Sequence, residues 1–524
     1  MQDEITGMRE KQRQAVVIGA GIAGLLATRV LAEYYEQVLV VERDALPVQP
    51  QPRAGTPQSH HLHRLLPRGK MILERLFPGF LDSLIEHGAF SLENTKNLLI
   101  AKDGHTSLST PNSMGKDASC SRALLEWEIR KRVQALAGVR FLAHQDVIGL
   151  VASSDQKRIT GICVRERGQL AERTTVAADL IVDASGRSSK LTRWLQELGY
   201  HLPEDEQVHS AIGYSTRYYR FPTDAHHEWS NALKPFSQSD GVAFSLLENH
   251  TCAMIIGNIG GHYPPTDAVA FEHRLAVAIG SYLPILLQDA QPLNDPRGYR
   301  IPVCVRHHFE QMEDWPDGLL VMGDAFCNFD PIYGQGMSVA AIEAETLARC
   351  LHEQQSHPQP IFERHVLQRM QEAIAPAWWL SSVSDLSVPG VTYTGPSPLR
   401  GVRLIRLYLD LYLKYAPVHD RELIQKGMPG QTYMFKNFLM NGLLISPRAV
   451  INAPALATLL AVVEASEASE EQQLLAELLQ NYPQRFEAIL DEIIPDFSLS
   501  FEDLQAFAPE KEVLIHQDSH PVLK

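Results

Sequence analysis

The alternation of apolar and polar positions divides the chain into elements before any motif is considered. Residues 15–18 are continuously apolar, a helical pattern follows to about residue 35, and residues 38–41 are apolar again. This order predicts a βαβ unit of a parallel sheet, because strands covered on both faces are apolar at every position. A polar loop, "LPVQPQPRAGTPQSHHLH", leads into helical segments around residues 65–86. "SRALLEWEIRKRVQAL" places Leu124, Leu125, Ile129, Val133 and Leu136 on one face, the pattern of an amphipathic helix. Strand-like pieces at 147–151 and 159–164 precede "ADLIVDASG", a further buried strand running into a glycine turn.

Residues 208–262 change to a period of two ("AIGYSTRYYRF", "GVAFSLLE", "TCAMIIGNI"), which predicts an antiparallel sheet with one covered face. A helix over about 268–287 and a strand in "GYRIPVCVRH" close this lobe. In "GLLVMGDAFCNFDPIYGQGMSVAA" an apolar strand meets Gly-Asp, then a loop with Pro331, Gly334 and Gly336, then an Ala-rich helix. An Asp at the end of a buried strand is placed to hold a ligand. The remainder reads as mostly helical, including an acidic amphipathic surface helix over 464–482.

At 524 residues the chain is too long for one compact core and predicts two or three lobes. The net charge of -15 argues against nucleic-acid or anionic-membrane partners, both of which require a basic face. Six cysteines without a CxxC pair suggest neither a disulfide framework nor a zinc site. The charged N-terminus lacks the apolar core of a signal peptide, and no apolar run is long enough to span a bilayer. A cytoplasmic protein without stable membrane insertion is expected. His60, His61 and His63 lack a carboxylate or Cys at ligand spacing, so no metal is expected there.

Gly19, Gly21 and Gly24 form GxGxxG between a strand and a helix. Gly19 permits the tight turn, Gly21 lets a pyrophosphate approach the backbone, and Gly24 lets helix and strand pack closely. Glu42, at the end of the second strand, can accept hydrogen bonds from ribose hydroxyls. NAD and FAD use the same device, so this motif leaves the choice between them open. Further along, Arg53 and Gln58 lie on a glycine-containing loop, and Arg122 opens a helix.

Taken together, the three glycines, the RAG loop at Arg53, Arg122, the DASG turn from Asp183 to Gly186 and the GD segment with PxxGxG resemble the group A flavoprotein monooxygenases, the p-hydroxybenzoate hydroxylase-like superfamily. "PRAGTPQSHHLHRLLPRG", "CSRALLEW", "ADLIVDASGRSS" and "VMGDAFCNFDPIYGQGMS" are similar to the flavin-dependent epoxidases of polyether antibiotic biosynthesis. The resemblance implies an α/β fold. Its parts are a Rossmann-type FAD-binding domain of the GR2 type, discontinuous over 1–95, 120–207 and 300–350, an antiparallel-sheet substrate domain over 96–119 and 208–299, and a helical C-terminal region over 351–524.

The resemblance further implies FAD as cofactor, with Glu42 on the adenosine ribose and Arg53 and Arg122 along the ribityl chain and pyrophosphate. Arg43, Gln58, Val147 and Asp183 join the cofactor-binding set, and Asp324 accepts from a ribityl hydroxyl. Gly334, Gly336 and Met337 approach the isoalloxazine, with Pro331 completing that wall, while Tyr214, Trp378 and Trp379 are candidates for a substrate pocket. No protein residue is required as catalyst. A flavin C4a-hydroperoxide would transfer one oxygen atom from O2 to a lipophilic small molecule, by epoxidation or hydroxylation, in specialised metabolism.

Two departures stand out. The superfamily's Asp-Gly turn reads Ser185-Gly186, which leaves the electron donor open between NAD(P)H and reduced flavin from a separate reductase. The flavin loop ends in Ser338 in place of Asn. The same residues also admit a flavin-dependent reductase or dehydrogenase of isoprenoid-type substrates, or a non-catalytic FAD-binding scaffold. The WxWxIP signature of flavin halogenases is absent.

Overall fold

The computed structural model describes residues 13–100, 107–111, 116–169, 173–235, 240–428, 432–461, 463 and 469–495. The apolar runs near the N-terminus form the centre of a five-stranded parallel sheet in the order Leu319–Val321, Leu180–Asp183, Gln14–Ile18, Gln37–Val41, Val139–Leu142. Ile18 pairs with both Asp183 and Val41, and Asp183 pairs in turn with Val321. The turns that follow these four strands therefore lie side by side at the carboxyl edge. The chain leaves Gln14–Ile18 toward one flank and returns on the other, and such a switch point opens a crevice for ligands.

Helix Ile22–Leu31 packs against helices Gly336–Ser356 and Arg122–Gln134. A three-stranded antiparallel ribbon, Gln145–Ala152, Ile159–Glu166 and Thr174–Ala177, occupies the chain between two sheet strands.

The period-two segment forms a larger sheet in the order Gln291–Pro292, Ile212–Arg220, Thr251–Asn258, Gly241–Leu246, Trp229–Lys234, Lys96–Ile100, Ser107–Pro111, with Arg297–Ile301 also on Ile212–Arg220. Its pairings are antiparallel apart from Trp229–Lys234 with Lys96–Ile100. The alternation sorts side chains between two cores. Cys252, Met254 and Ile256 meet Phe271, Leu275 and Ile279 of a covering helix, whereas Tyr214 and Ile255 join the main core.

Two elements differ from the sequence expectation. The helix expected over about 268–287 is two, Ala268–Ile279 and Tyr282–Leu286, because Gly280 breaks it at φ +51°. "GYRIPVCVRH" is also two strands. Pro302 lies between Arg297–Ile301 in the large sheet and Cys304–Arg306, which pairs with Glu206–His209.

The C-terminal half is helical, with Phe362–Leu386, Val402–Gln425, Tyr433–Asn441, Ala453–Ala461, Glu470–Asn481 and Pro483–Ile493. Strand Thr392–Thr394 ties this region to Glu206–His209. The acidic helix begins at Glu470 behind a capping box of Ser469 and Gln472; residues 464–468 and 496–524 lie outside the described residues. No described helix is long and apolar enough to cross a membrane.

Candidate functional site

The glycine turn distinguishes what the fold needs from what a ligand needs. Gly19 adopts φ +101°, and a Cβ there would lie 2.6 Å from the Ala184 carbonyl oxygen. A Cβ on Gly24 would lie 1.9 Å from the Gly19 carbonyl oxygen. Both glycines are demanded by the protein's own packing. Gly21 is not, since a Cβ there meets nothing within 4 Å. The open space lies over the N-terminus of helix Ile22–Leu31, which starts at Gly21 without a side-chain cap and so leaves N–H groups for an outside acceptor.

Glu42 is held beside this turn. Its Oε2 accepts the Ala20 N–H at 2.8 Å and its Oε1 the Asp44 N–H at 3.0 Å. The Gln145 N–H donates to the Glu42 carbonyl at 3.0 Å, which brings the half-buried Val147 strand alongside. Arg43 is exposed, and its carbonyl accepts from Arg167 at 3.1 Å. Asp183 is fully buried with both oxygens engaged in its own turn, by the Ser185 N–H at 2.9 Å and the Ser189 hydroxyl at 2.5 Å. Any contribution it makes to the site passes through that turn.

The two arginines are organised by a carboxylate that the sequence reading did not single out. Arg53 Nε donates to Glu126 Oε1 at 2.8 Å, and its Nη1 lies 3.2 Å from both Glu42 and Asp44. Arg122 opens its helix behind a Ser121 cap, with Nη1 2.8 Å from Glu126 Oε2. That contact is an ion pair poorly aligned for a hydrogen bond, and among the described residues no other acceptor meets this buried Nη1. A buried donor with a single poorly aligned acceptor can take a further oxygen atom. The signal available in the sequence was the i,i+4 spacing of Arg122 and Glu126. Gln58 sits half-buried on the adjoining turn Pro57–His60.

Asp324 follows strand Leu319–Val321 directly. Gly323, at φ +66°, would place a Cβ 2.6 Å from Ala23 Cβ, so this turn abuts the first turn of the dinucleotide-type helix. Among the described residues no donor hydrogen-bonds the Asp324 carboxyl. Burial pushes its pKa up, while Arg187 and Arg122 oppose the shift. A Cβ on Gly336 would be 3.9 Å from Asp324 Oδ1, which puts the start of helix Gly336–Ser356 beside the same carboxyl. This helix too begins without a side-chain cap, and Met337 occupies its first turn. Pro331 opens the short turn Pro331–Tyr333; Gly334 follows at φ +67°, where a Cβ would lie 3.3 Å from the Arg64 carbonyl oxygen. Ser338 has a local reason. Its hydroxyl accepts the Leu66 N–H at 3.0 Å, and Gly69 lets the two segments approach.

The large sheet supplies an aromatic wall. Tyr214 stands edge-on to His61 at 4.8 Å and 5.7 Å from Tyr299, and the His61 Nδ1 meets the Thr216 hydroxyl at 2.9 Å. Burial lowers His61 to about 3 and His63 to about 4, so both rings are neutral near pH 7. His60 Nε2 accepts from Arg297 at 2.9 Å. Trp378 donates to Glu206 at 2.6 Å and packs against Phe329, just before the Pro331 turn. Trp379 is buried beside it, and its indole N–H finds no acceptor among the described residues. No described group of His, Cys, Asp and Glu is arranged to hold a metal ion.

Two uncapped helix N-termini, a buried guanidinium with a poorly aligned acceptor and an unbonded carboxyl thus converge on one edge. Helix N-termini suit anions, the carboxyl suits hydroxyl donors, and this donor set fits a molecule with a pyrophosphate and a polyol, as FAD has. Comparison with known proteins agrees. Residues 12–359 match the family described as FAD binding domain. The chain is 32% identical over 384 residues to protein Rv3254 of Mycobacterium tuberculosis, covering 71% of this chain and 80% of that one. It is 25% identical over 368 residues to a kynurenine 3-monooxygenase of Salinispora tropica, covering 66% and 74%. In fold it is similar to the flavin-dependent brominase Bmp2, with a TM-score of 0.57 at 13% identity, covering 91% of this chain and 100% of that one. The chain belongs to the FAD binding domain family, among the FAD-dependent monooxygenases, and its cofactor is FAD.

Proposed function

We propose that this protein inserts one atom of O2 into a lipophilic small molecule, by epoxidation or hydroxylation, in the manner of the polyether epoxidases its motifs resemble. The observation that carries this reading is the juxtaposition of Asp324, Arg122 and the uncapped Gly336 helix with the aromatic wall of His61, Tyr214 and Tyr299. In this reading Glu42 holds the adenosine ribose, the N–H groups after Gly21 take the pyrophosphate, and Arg122 and Asp324 hold the ribityl chain. Residues 331–337 form one wall of the reaction space and the large sheet the other. Bound FAD supplies electron transfer and oxygen activation. The chain's own residues bind the two molecules, keep water from the space between them and direct a helix dipole at the flavin edge where negative charge collects.

The sheet side supports an apolar substrate. Tyr214 is buried with its hydroxyl pKa raised well above the usual value by burial, and the His61 and His63 imidazoles are neutral, so these rings carry no formal charge, with Arg187 and Arg297 as cations beside them. Ser185 in place of the superfamily's Asp supports reduction by a separate flavin reductase. The test is incorporation of labelled oxygen from O2 into a panel of lipophilic alkenes and aromatics, with NADPH alone and with an added reductase. Oxygenated product in either arm supports the proposal, and product only with the reductase identifies the donor. A flavin that reoxidises with no labelled product from any member of the panel defeats it.

A further inference from the structure

Two buried carboxyls behind the Pro331 turn, Asp330 and Asp385, have no part in the reading above. Asp330 and Asp385 are both about 1% exposed. Asp330 caps the turn, its Oδ1 accepting the Ile332 N–H at 3.0 Å, while its Oδ2 is buried with no donor in good hydrogen-bond geometry among the described residues. Its neighbour is the Asp385 carboxyl, near the end of helix Phe362–Leu386, which accepts the Tyr333 hydroxyl at 2.8 Å. Two adjacent carboxyls in a buried site cannot both ionise cheaply, and a single proton between them joins the Ser210 hydroxyl in satisfying the Asp330 carboxyl.

We propose that Asp330 and Asp385 share one proton and, through Tyr333, hold residues 331–336 in the conformation that receives the flavin. Both are positioning residues, since they act through the loop. The inference rests on the reading that this loop contacts FAD. The surroundings agree. Burial, followed by hydrogen bonding and the Arg187 charge acting the other way, leaves Asp330 pushed up to about 7, and burial with the Asp330 charge raises Asp385 well above the carboxylate range. The other groups facing the pair are Tyr214, Tyr333, the Cys304 thiol and the Ser210 hydroxyl, all of which stay neutral at pH 7. Above the pair's titration, two negative charges would face each other under the loop.

The experiment measures FAD affinity by flavin fluorescence as a function of pH, in the wild type, Asp385→Asn and Tyr333→Phe. Asparagine at 385 keeps an acceptor for Tyr333 and gives Asp330 a permanent N–H donor, which reproduces the singly protonated pair at every pH. The wild type is expected to weaken about tenfold from about pH 6 to about pH 9, and Asp385→Asn to stay level within about twofold. Tyr333→Phe removes a donor to the ionised form and should move the decline to higher pH. A level wild-type profile, or the same slope in Asp385→Asn, overturns the proposal. Failure of the flavin-loop reading would look different, since Gly336→Ala, in the loop itself, would then leave affinity unchanged at the lowest pH. Poor folding of Asp385→Asn would itself count against it, because the substitution preserves both hydrogen bonds.

Discussion

Asp324 is the residue whose environment makes least sense without a partner. It is largely enclosed, no described donor reaches it, and Arg122 and Arg187 supply only field. Asp324→Ala should weaken FAD binding by about 10- to 100-fold, the worth of one hydrogen bond to a charged group, with little change in the stability of the flavin-free protein. Equilibrium titration of flavin fluorescence checks it. Glu343 behaves differently. Fully buried, it accepts the Gly323 N–H at 2.6 Å, and burial raises its pKa from 4.5 to about 8. A raised acid holds its proton in the folded state after the unfolded chain has lost it. Its stabilising effect is therefore complete below about pH 4.5 and lost as pH rises through about 8. Glu343→Gln keeps the acceptor and removes the titration, so the melting temperature of the flavin-free variant should fall less across that window than that of the wild type. Parallel curves would mean that the ionisation lies elsewhere.

Among the elements, the glycine turn offers a matched pair of substitutions. Gly24→Ala drives a methyl into the Gly19 carbonyl and should cost about 1–3 kcal/mol of stability whether or not flavin is present. Gly21→Ala meets open space, so it should leave unfolding within about 0.5 kcal/mol of the wild type while lowering flavin affinity. Denaturation and flavin titration on both variants separate the two roles. The parallel strands and this turn were legible because their physics is local, with continuous apolar runs, glycines at fixed offsets and an acid at a strand end. Asp324 was legible for the same reason. Glu126 was not, because it joins Arg53 from 73 positions away as well as its own helix neighbour. Asp385 reaches Tyr333 across 52 positions, a contact that no periodicity announces. Gly280 and Pro302 broke elements whose apolar pattern ran straight through them, where backbone geometry overrode hydrophobic periodicity.

The whole molecule is built around one main core that runs from the parallel sheet through the loop of residues 331–337 into the C-terminal helices, where Ile405, Tyr408, Leu411 and Tyr412 are buried. On the proposed reading flavin contacts the turns of the parallel sheet and residues 331–337, which share this core with the C-terminal helices, so it should stabilise the assembly as a unit. At a free FAD concentration about 100 times the dissociation constant the gain is about 2.7 kcal/mol. A single melting transition that moves up with added FAD is expected; a transition that splits on addition would mean that the parts respond separately.

The sheet order has a further effect, on how the protein is made. Gln14–Ile18 with its glycine turn leaves the ribosome before the rest of the sheet's partners, and its crevice is completed only when Leu319–Val321 settles beside Leu180–Asp183 and the helix to Ser356 has followed. A nascent chain therefore carries its most recognisable nucleotide motif for some time before the site that motif belongs to is complete. On the proposed site, flavin should load only after that strand is made, and chains interrupted before it should be colourless however well their first βαβ unit has folded.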